Sequence, residues 1–315
     1  MPASRPSPGP SSSPDRAPTA ASPATVFVTG AAGGVGSALV ARLAAQGFRV
    51  VAGVRRESAA ADLPPAVVPV VMDITDDESV GAAARRLEVE TGPAGLQALV
   101  NVAGLMRHGP LELVPTATLR EQFAVTVVGT MAVTRTVLPL LRRGGGRVVT
   151  VGAVTSRVTM PFAGPISAAE SALASLTDAL RMELRHQGVP VSLVELGGVA
   201  TDLFAKAGQV AERDLAAAPA PLRELYAPAL DAVAAAAAKQ KLSPPDVAVE
   251  AIVKALTDRS PRPRYLAGRD ARTLARLRRL PDGVRDRVLL RVIGVSRTSF
   301  PTPAGSGPAL VKEAR

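Results

Sequence analysis

The residues Thr29-Gly30-Ala31-Ala32-Gly33-Gly34-Val35-Gly36 have the types and spacing to hold a phosphate. Glycines let the backbone come close to a pyrophosphate, and a helix starting within them would aim N–H donors and a favourable dipole at it. A strand-like run, Thr25–Thr29, precedes them and a helical pattern follows, the setting in which such a turn binds a dinucleotide. Other residues extend the same chemistry. Arg55 and Arg56 follow the second strand-like run, where a guanidinium suits a ribose 2′-phosphate and hence NADP. Asp73 and Ile74 end the third run, where a carboxylate can accept from an adenine amino group. Asn101-Val-Ala103-Gly104 ends the fourth, with small residues that let a cofactor pass, and Asn101 is the single Asn in the chain.

Those positions must be carried by elements, and the apolar pattern supplies them. Strands are expected at Thr25–Thr29, Phe48–Val54, Val67–Met72, Leu96–Val102, Arg147–Val151, Val191–Leu196 and Arg264–Ala267. Helices are expected between them, at Gly34–Gly47, Asp76–Thr91, Thr116–Arg143 and Ala163–Gln187. Strands that are apolar throughout and alternate with helices imply a parallel sheet covered on both faces. The expected fold is therefore α/β: a Rossmann-like, doubly wound parallel sheet in three layers, one domain with a C-terminal helical extension. Leu215–Lys241 is Ala-rich and helical, interrupted by Pro219, Pro221 and Pro228, and Ser243 reads as the N-cap of a helix at Ser243-Pro-Pro-Asp246. Val284–Val295 reads as a helix with Val284, Val288, Leu289, Val292 and Ile293 on one face and Arg285, Arg287 and Arg291 outside it, covering a pocket or a dimer seam rather than anchoring in a membrane. Residues 1–24 read as a disordered Pro/Ser-rich tail, 25–298 as the domain (215–298 its helical, substrate-side extension) and 299–315 as a loose tail.

Composition excludes several classes. With no Cys there is no disulfide, thiolate nucleophile or sulfur zinc site, and His108 and His186 alone make a multi-histidine metal site implausible; no metal is expected. Residues 254–315 hold 15 Lys and Arg against 5 Asp and Glu, a surplus equal to the whole +10 of the chain. No aromatic residues interleave those arginines as a nucleic-acid platform would need, so a solvated basic face is expected, with a phosphate or membrane contact as the alternative. No continuous run of about 18 apolar residues predicts a spanning helix. The N-terminal residues lack a secretory core, and a cytoplasmic location is expected. His108, just after the Asn101–Gly104 turn, reads as an exposed loop histidine near a pocket mouth.

Together these residues resemble the short-chain dehydrogenase/reductase family, from about Thr25 to Phe204. The resemblance rests on Thr29-Gly-x-x-x-Gly34-x-Gly36, Asp73, Asn101-x-Ala-Gly104, Leu138-Pro139 and Val194-Glu-Leu-Gly-Gly-Val-Ala-Thr201, where Leu196 stands for the family's usual Pro. Arg264-Tyr-Leu-Ala-Gly-Arg-Asp270 is similar to members acting on hydroxysteroids, retinoids and other apolar alcohols. The cofactor set it implies is Gly30, Gly34, Val35, Gly36, Arg55, Asp73, Ile74, Asn101, Ala103 and Gly104, with NADP (NADPH) as cofactor. It also implies a homo-oligomer, dimer or tetramer, paired through long helices.

The resemblance further implies an active site of Ser, Tyr, Lys and Asn, and here the chain departs from it. No Tyr precedes Tyr226 and no Lys precedes Lys206. The Tyr position falls on Ile166, the Lys on Glu170, the Ser on or beside Ala153 and the Asn on Thr126. Ser167, Ser171, Thr155 and Ser156 offer hydroxyls nearby without a Lys partner. Hydride reduction of a carbonyl needs a proton donor, which contributes about 10²–10⁴-fold; Ile166 cannot be one. Three readings follow. The first is a non-redox enzyme (cyclisation, isomerisation or elimination) on an apolar small molecule, with Glu170 as general acid or base, its pKa raised by burial. The second is an NADP-dependent oxidoreductase of apolar alcohols or ketones with substituted acids. The third is a non-catalytic NADP-binding sensor or partner subunit. The plainer alternative for Glu170 is an ion pair with an arginine such as Arg157.

Overall fold

Val26, Phe27 and Val28 of the first strand are all fully buried, because each face of that strand meets a layer of helices. The computed structural model describes residues 23–297. Its strands are β1 (Thr25–Thr29), β2 (Arg49–Val54), β3 (Val68–Val71), β4 (Ala98–Asn101), β5 (Arg147–Ala153), β6 (Val191–Leu196) and β7 (Arg264–Ala267). They form one seven-stranded sheet in the order β3-β2-β1-β4-β5-β6-β7, every neighbouring pair parallel. The order reverses between β1 and β4, and the crevice at the C-terminal ends of those strands is where open α/β sheets bind ligands.

Alternate residues feed the two layers. Val26 and Val28 of β1, with Ala98 and Val100 of β4, pack under α1 (Gly34–Ala45) and α8 (Pro245–Thr257). Phe27 and Leu99 point the other way, toward α2 (Asp77–Thr91) and α4 (Thr130–Arg143). The architecture is the three-layer, single-domain α/β fold expected from the alternation. Asp76 caps α2, accepting from the Glu78 amide at 2.9 Å.

Five details differ from the sequence expectations. The long helix expected over Thr116–Arg143 is α3 (Thr116–Phe123), a π-helical segment Ala124–Gly129, and α4. At Gly129 an added Cβ would lie 2.7 Å from the Ile74 carbonyl, so the segment lies hard against the end of the β3 loop. By length and hydropathy Thr116–Arg143 is also capable of crossing a membrane, contrary to the expectation of no such run, but 61% of that window is buried inside the fold, as in a core helix. The helices after β6 begin earlier than expected: α6 (Leu203–Ala216) precedes α7 (Ala220–Ala238), with the break just before Pro219. Ser243 is not an N-cap. Its amide donates to the Gly198 carbonyl and its own carbonyl accepts from Ala200 in a bridge to Val199, leaving Pro244 at the cap of α8.

The last correction concerns the helices after β7, α9 (Arg269–Leu277) and α10 (Asp282–Val292). In α10 the inward stripe is Arg285, Leu289 and Ile293, not the valines. Leu289 and Ile293 are buried, whereas Val284 is 41% exposed and Val292 67%. Of the tails expected at 1–24 and 299–315, all but residues 23 and 24 lie outside the described residues.

Candidate active site

The glycine turn is built by close backbone approach. Gly30 has φ +64°, and a Cβ there would stand 2.7 Å from the backbone of Ala103. A Cβ on Gly36 would fall 2.1 Å from the Gly30 carbonyl. The Gly33 amide donates to that same carbonyl at 3.0 Å, closing the turn. Gly33 caps α1 without any side-chain bond, so no side chain occupies the N–H groups of the first turn. The Thr29 hydroxyl accepts from the amides of Val102 and Ala103, both at 3.1 Å, and so ties the turn to the segment after β4. A Cβ on Gly104 would meet nothing nearer than 3.9 Å, leaving open space beside the backbone. The Asn101 side chain is buried and donates to Thr134 of α4 at 2.9 Å, while its Oδ1 finds no partner among the described residues. Val35 is half-buried on α1, and a Cβ on Gly34 would collide with Thr201 after β6.

Arg55 and Arg56 stand exposed at the end of β2. Asp73 Oδ1 accepts from the Thr75 hydroxyl at 2.7 Å and the Thr75 amide at 2.9 Å. Those two bonds hold its pKa below the ordinary value against a small burial effect, and the charge of nearby Arg55 adds to them. Ile74 beside it is buried.

The other half of the crevice is assembled around α5 (Gly164–Glu183) and the end of β5. Glu170 is only 8% exposed, and its Oε2 accepts from the Ala153 amide at 2.8 Å. Burial pushes its pKa up to about 7; the Ala153 bond opposes this and the charge of Glu195 adds to it. Ile166 is buried one turn earlier, and Ser167 and Thr155 have buried hydroxyls without partners among the described residues. Thr126 sits in the π-helical segment and accepts from the Gln122 side chain at 2.7 Å. Ser171 is spent on the backbone carbonyl of Ser167 at 2.8 Å.

Arg157 does not pair with Glu170. Its guanidinium grips Glu195 of β6, which is 0% exposed, through Nε and Nη2 at 2.8 and 2.5 Å. Ser156 and Arg264 also donate to Glu195, each at 2.9 Å, and Arg264 continues to Asp178 of α5. This network escaped the sequence reading; its one signal was a charged residue inside the largely apolar run of β6. His108 is half-buried beside Asp214 and Leu215 rather than exposed, and burial first, then Arg107, lowers its pKa.

A cavity of about 470 Å³ lies between the loop after β5 and α10, walled by Val158, Met160, Phe162, Arg285 and Leu289. Phe162 has φ +61°, the only non-glycine in that region among the described residues. Such strain persists only where surrounding structure enforces it. Arg157 joins the cavity wall, but Glu170, Ile166 and Ala153 do not.

Residues 24–211 match the short chain dehydrogenase family. The chain is 32% identical over 291 residues to the 17-beta-hydroxysteroid dehydrogenase type 6 of Bos taurus, covering 89% of each chain. It is 33% identical over 189 residues to the NADPH-dependent 3-dehydrocapnine reductase of Ornithobacterium rhinotracheale, covering 57% of this chain and 67% of that one. A short chain dehydrogenase from Burkholderia cenocepacia J2315, solved in complex with NADP, matches with TM-score 0.68 at 27% identity, over 85% of this chain and 98% of the other.

Proposed function

Because the chain belongs to the short chain dehydrogenase family, we propose that it binds NADP and uses the same crevice for an acid–base reaction on an apolar small molecule, without the family's Tyr-driven hydride transfer. Support for the cofactor comes from the turn. Gly30 and Gly36 tolerate no Cβ, and the open backbone at Gly104 leaves room for a ligand. Gly30, Gly34, Val35 and Gly36 would hold the diphosphate, Arg55 the 2′-phosphate, Asp73 and Ile74 the adenine, and the Asn101–Gly104 segment the ribose side. Bound NADPH supplies a hydride. In this chain Ile166 and Ala153 carry no proton that could follow it.

The observation that carries the reading is Glu170. It is a buried carboxyl on α5, beside the end of β5, with one hydrogen bond among the described residues and a pKa of about 7. A group of that pKa exchanges its proton readily near neutrality, which is what cyclisation, isomerisation or elimination requires. The cavity against α10, whose wall Arg157 joins and Glu170 does not, is of the size that takes a small apolar molecule, with residues 215–298 as the substrate-side extension. A second reading, an oxidoreductase in which Glu170 replaces the usual acid, is favoured by the dehydrogenase and reductase relatives. Oligomerisation would use α5, whose outward residues Leu176 and Met182 are exposed.

Titration of the purified protein with NADPH and NADP, followed by turnover on a panel of apolar ketones, separates these. Binding without NADPH oxidation is expected. Steady oxidation that Glu170→Gln abolishes would establish the second reading instead, and absence of binding would remove NADP.

A further inference from the structure

The corrected packing of α10 leaves apolar residues on its outside. Val284, Arg287, Val288, Arg291 and Val292 fall at i, i+3, i+4, i+7 and i+8, one stripe of a helix. Val284 and Val292 are exposed at 41% and 67%, and Arg287 and Arg291 beside them are exposed too. In α9 and the turn after it, Arg269, Arg272, Arg276 and Arg279 are exposed at similar helical spacing. None of these arginines has an ion-pair partner among the described residues. Over 254–297 the chain carries 13 Lys and Arg against 4 Asp and Glu.

We propose that α9 and α10 form a docking surface for an anionic lipid membrane. The charge requires a negative partner. Neither terminal segment qualifies, because 1–22 and 298–315 each hold two basic residues and one acidic. A second copy presenting the same face would be repelled. The valines decide between anionic partners. Apolar side chains interleaved with arginines gain by entering the headgroup boundary, whereas a nucleic acid offers them nothing. A stacking platform is also missing, since Tyr265 is the one aromatic in 254–297 and it is buried. The placement suits the cavity as well. The inward side of α10 contributes Arg285, Leu289 and Leu290 to the cavity wall, so a bilayer on its outward side lies about one helix diameter, roughly 10 Å, from the cavity. An apolar molecule dissolved in that bilayer has a short route to it.

Flotation of the full chain with vesicles tests this. It is expected to float with phosphatidylcholine vesicles containing phosphatidylserine, to stay behind with phosphatidylcholine alone, and to be released by salt. Arg287→Gln with Arg291→Gln should weaken partitioning roughly 30-fold. Val284→Ser with Val292→Ser, both at exposed sites, should weaken it several-fold while leaving the circular dichroism spectrum unchanged. The proposal is overturned if phosphatidylserine vesicles do not carry the protein, or if the arginine variant floats as well as the parent. It is equally overturned if the valine variant is indistinguishable and duplex DNA strips the protein from vesicles, which would make the face a phosphate-binding surface.

Discussion

Glu170→Gln should change how stability depends on pH more than it changes stability at any one pH. In the unfolded chain the carboxyl ionises at its ordinary value of 4.5; in the fold, burial holds it neutral to about 7. Between those values the folded protein keeps a proton that the unfolded chain has lost, so Glu170 stabilises the fold less and less as pH rises. Its contribution is fully present below 4.5, declines through the interval, and has gone once pH passes about 7. The interval corresponds to about 3 kcal/mol. Gln has no proton to lose and keeps a carbonyl for the Ala153 amide. Urea unfolding of both proteins across this range, with one curve subtracted from the other, removes groups common to the two. The variant should gain about 3 kcal/mol on the parent from the acid to the alkaline side. A difference that stays flat with pH would show that Glu170 ionises like a surface carboxyl, and the acid–base reading would fall with it.

Arg55→Asp should weaken NADPH binding by about 10- to 100-fold, read by fluorescence titration, since a charge-assisted bond to the 2′-phosphate is lost; unchanged affinity refutes the NADP assignment. Arg157→Ala leaves fully buried Glu195 with Arg264 and Ser156 alone. About 3 kcal/mol should be lost in urea unfolding, and a negligible loss would mean that Arg264 suffices. Gly36→Ala drives a methyl into the Gly30 carbonyl, 2.1 Å away. Nucleotide binding should disappear in calorimetry; retained binding would place the nucleotide elsewhere.

The sheet was legible because strands covered on both faces must be apolar at every position, and Val26–Val28 and Leu99–Val100 are. The glycine turn was legible because backbone approach tolerates one residue type. Other features depend on contacts that local pattern does not encode. Glu195 meets Ser156, Arg157 and Arg264 across 39, 38 and 69 residues of chain. Nothing in Ala124–Gly129 distinguishes a π-helical segment from the α-helix around it. In α10 two stripes were available, Val284-Val288-Val292 and Arg285-Leu289-Ile293, and the neighbouring loop and α7 select which turns inward. Ser243 had the chemistry of a cap, but a strand-like bridge to Val199 claimed its backbone first.

The contact between Gly152 and Glu170 bears on the history open to this crevice. A Cβ on Gly152 would lie 2.6 Å from Glu170 Oε2, the atom bonded to the Ala153 amide. Any side chain appearing at 152 while the carboxylate remains pushes against that oxygen and strains its bond to the Ala153 amide. The two positions can therefore be exchanged cheaply in only one order: 170 changes first, then 152. Lineages that try the reverse meet a less stable intermediate, so position 152 stays glycine for as long as Glu170 remains.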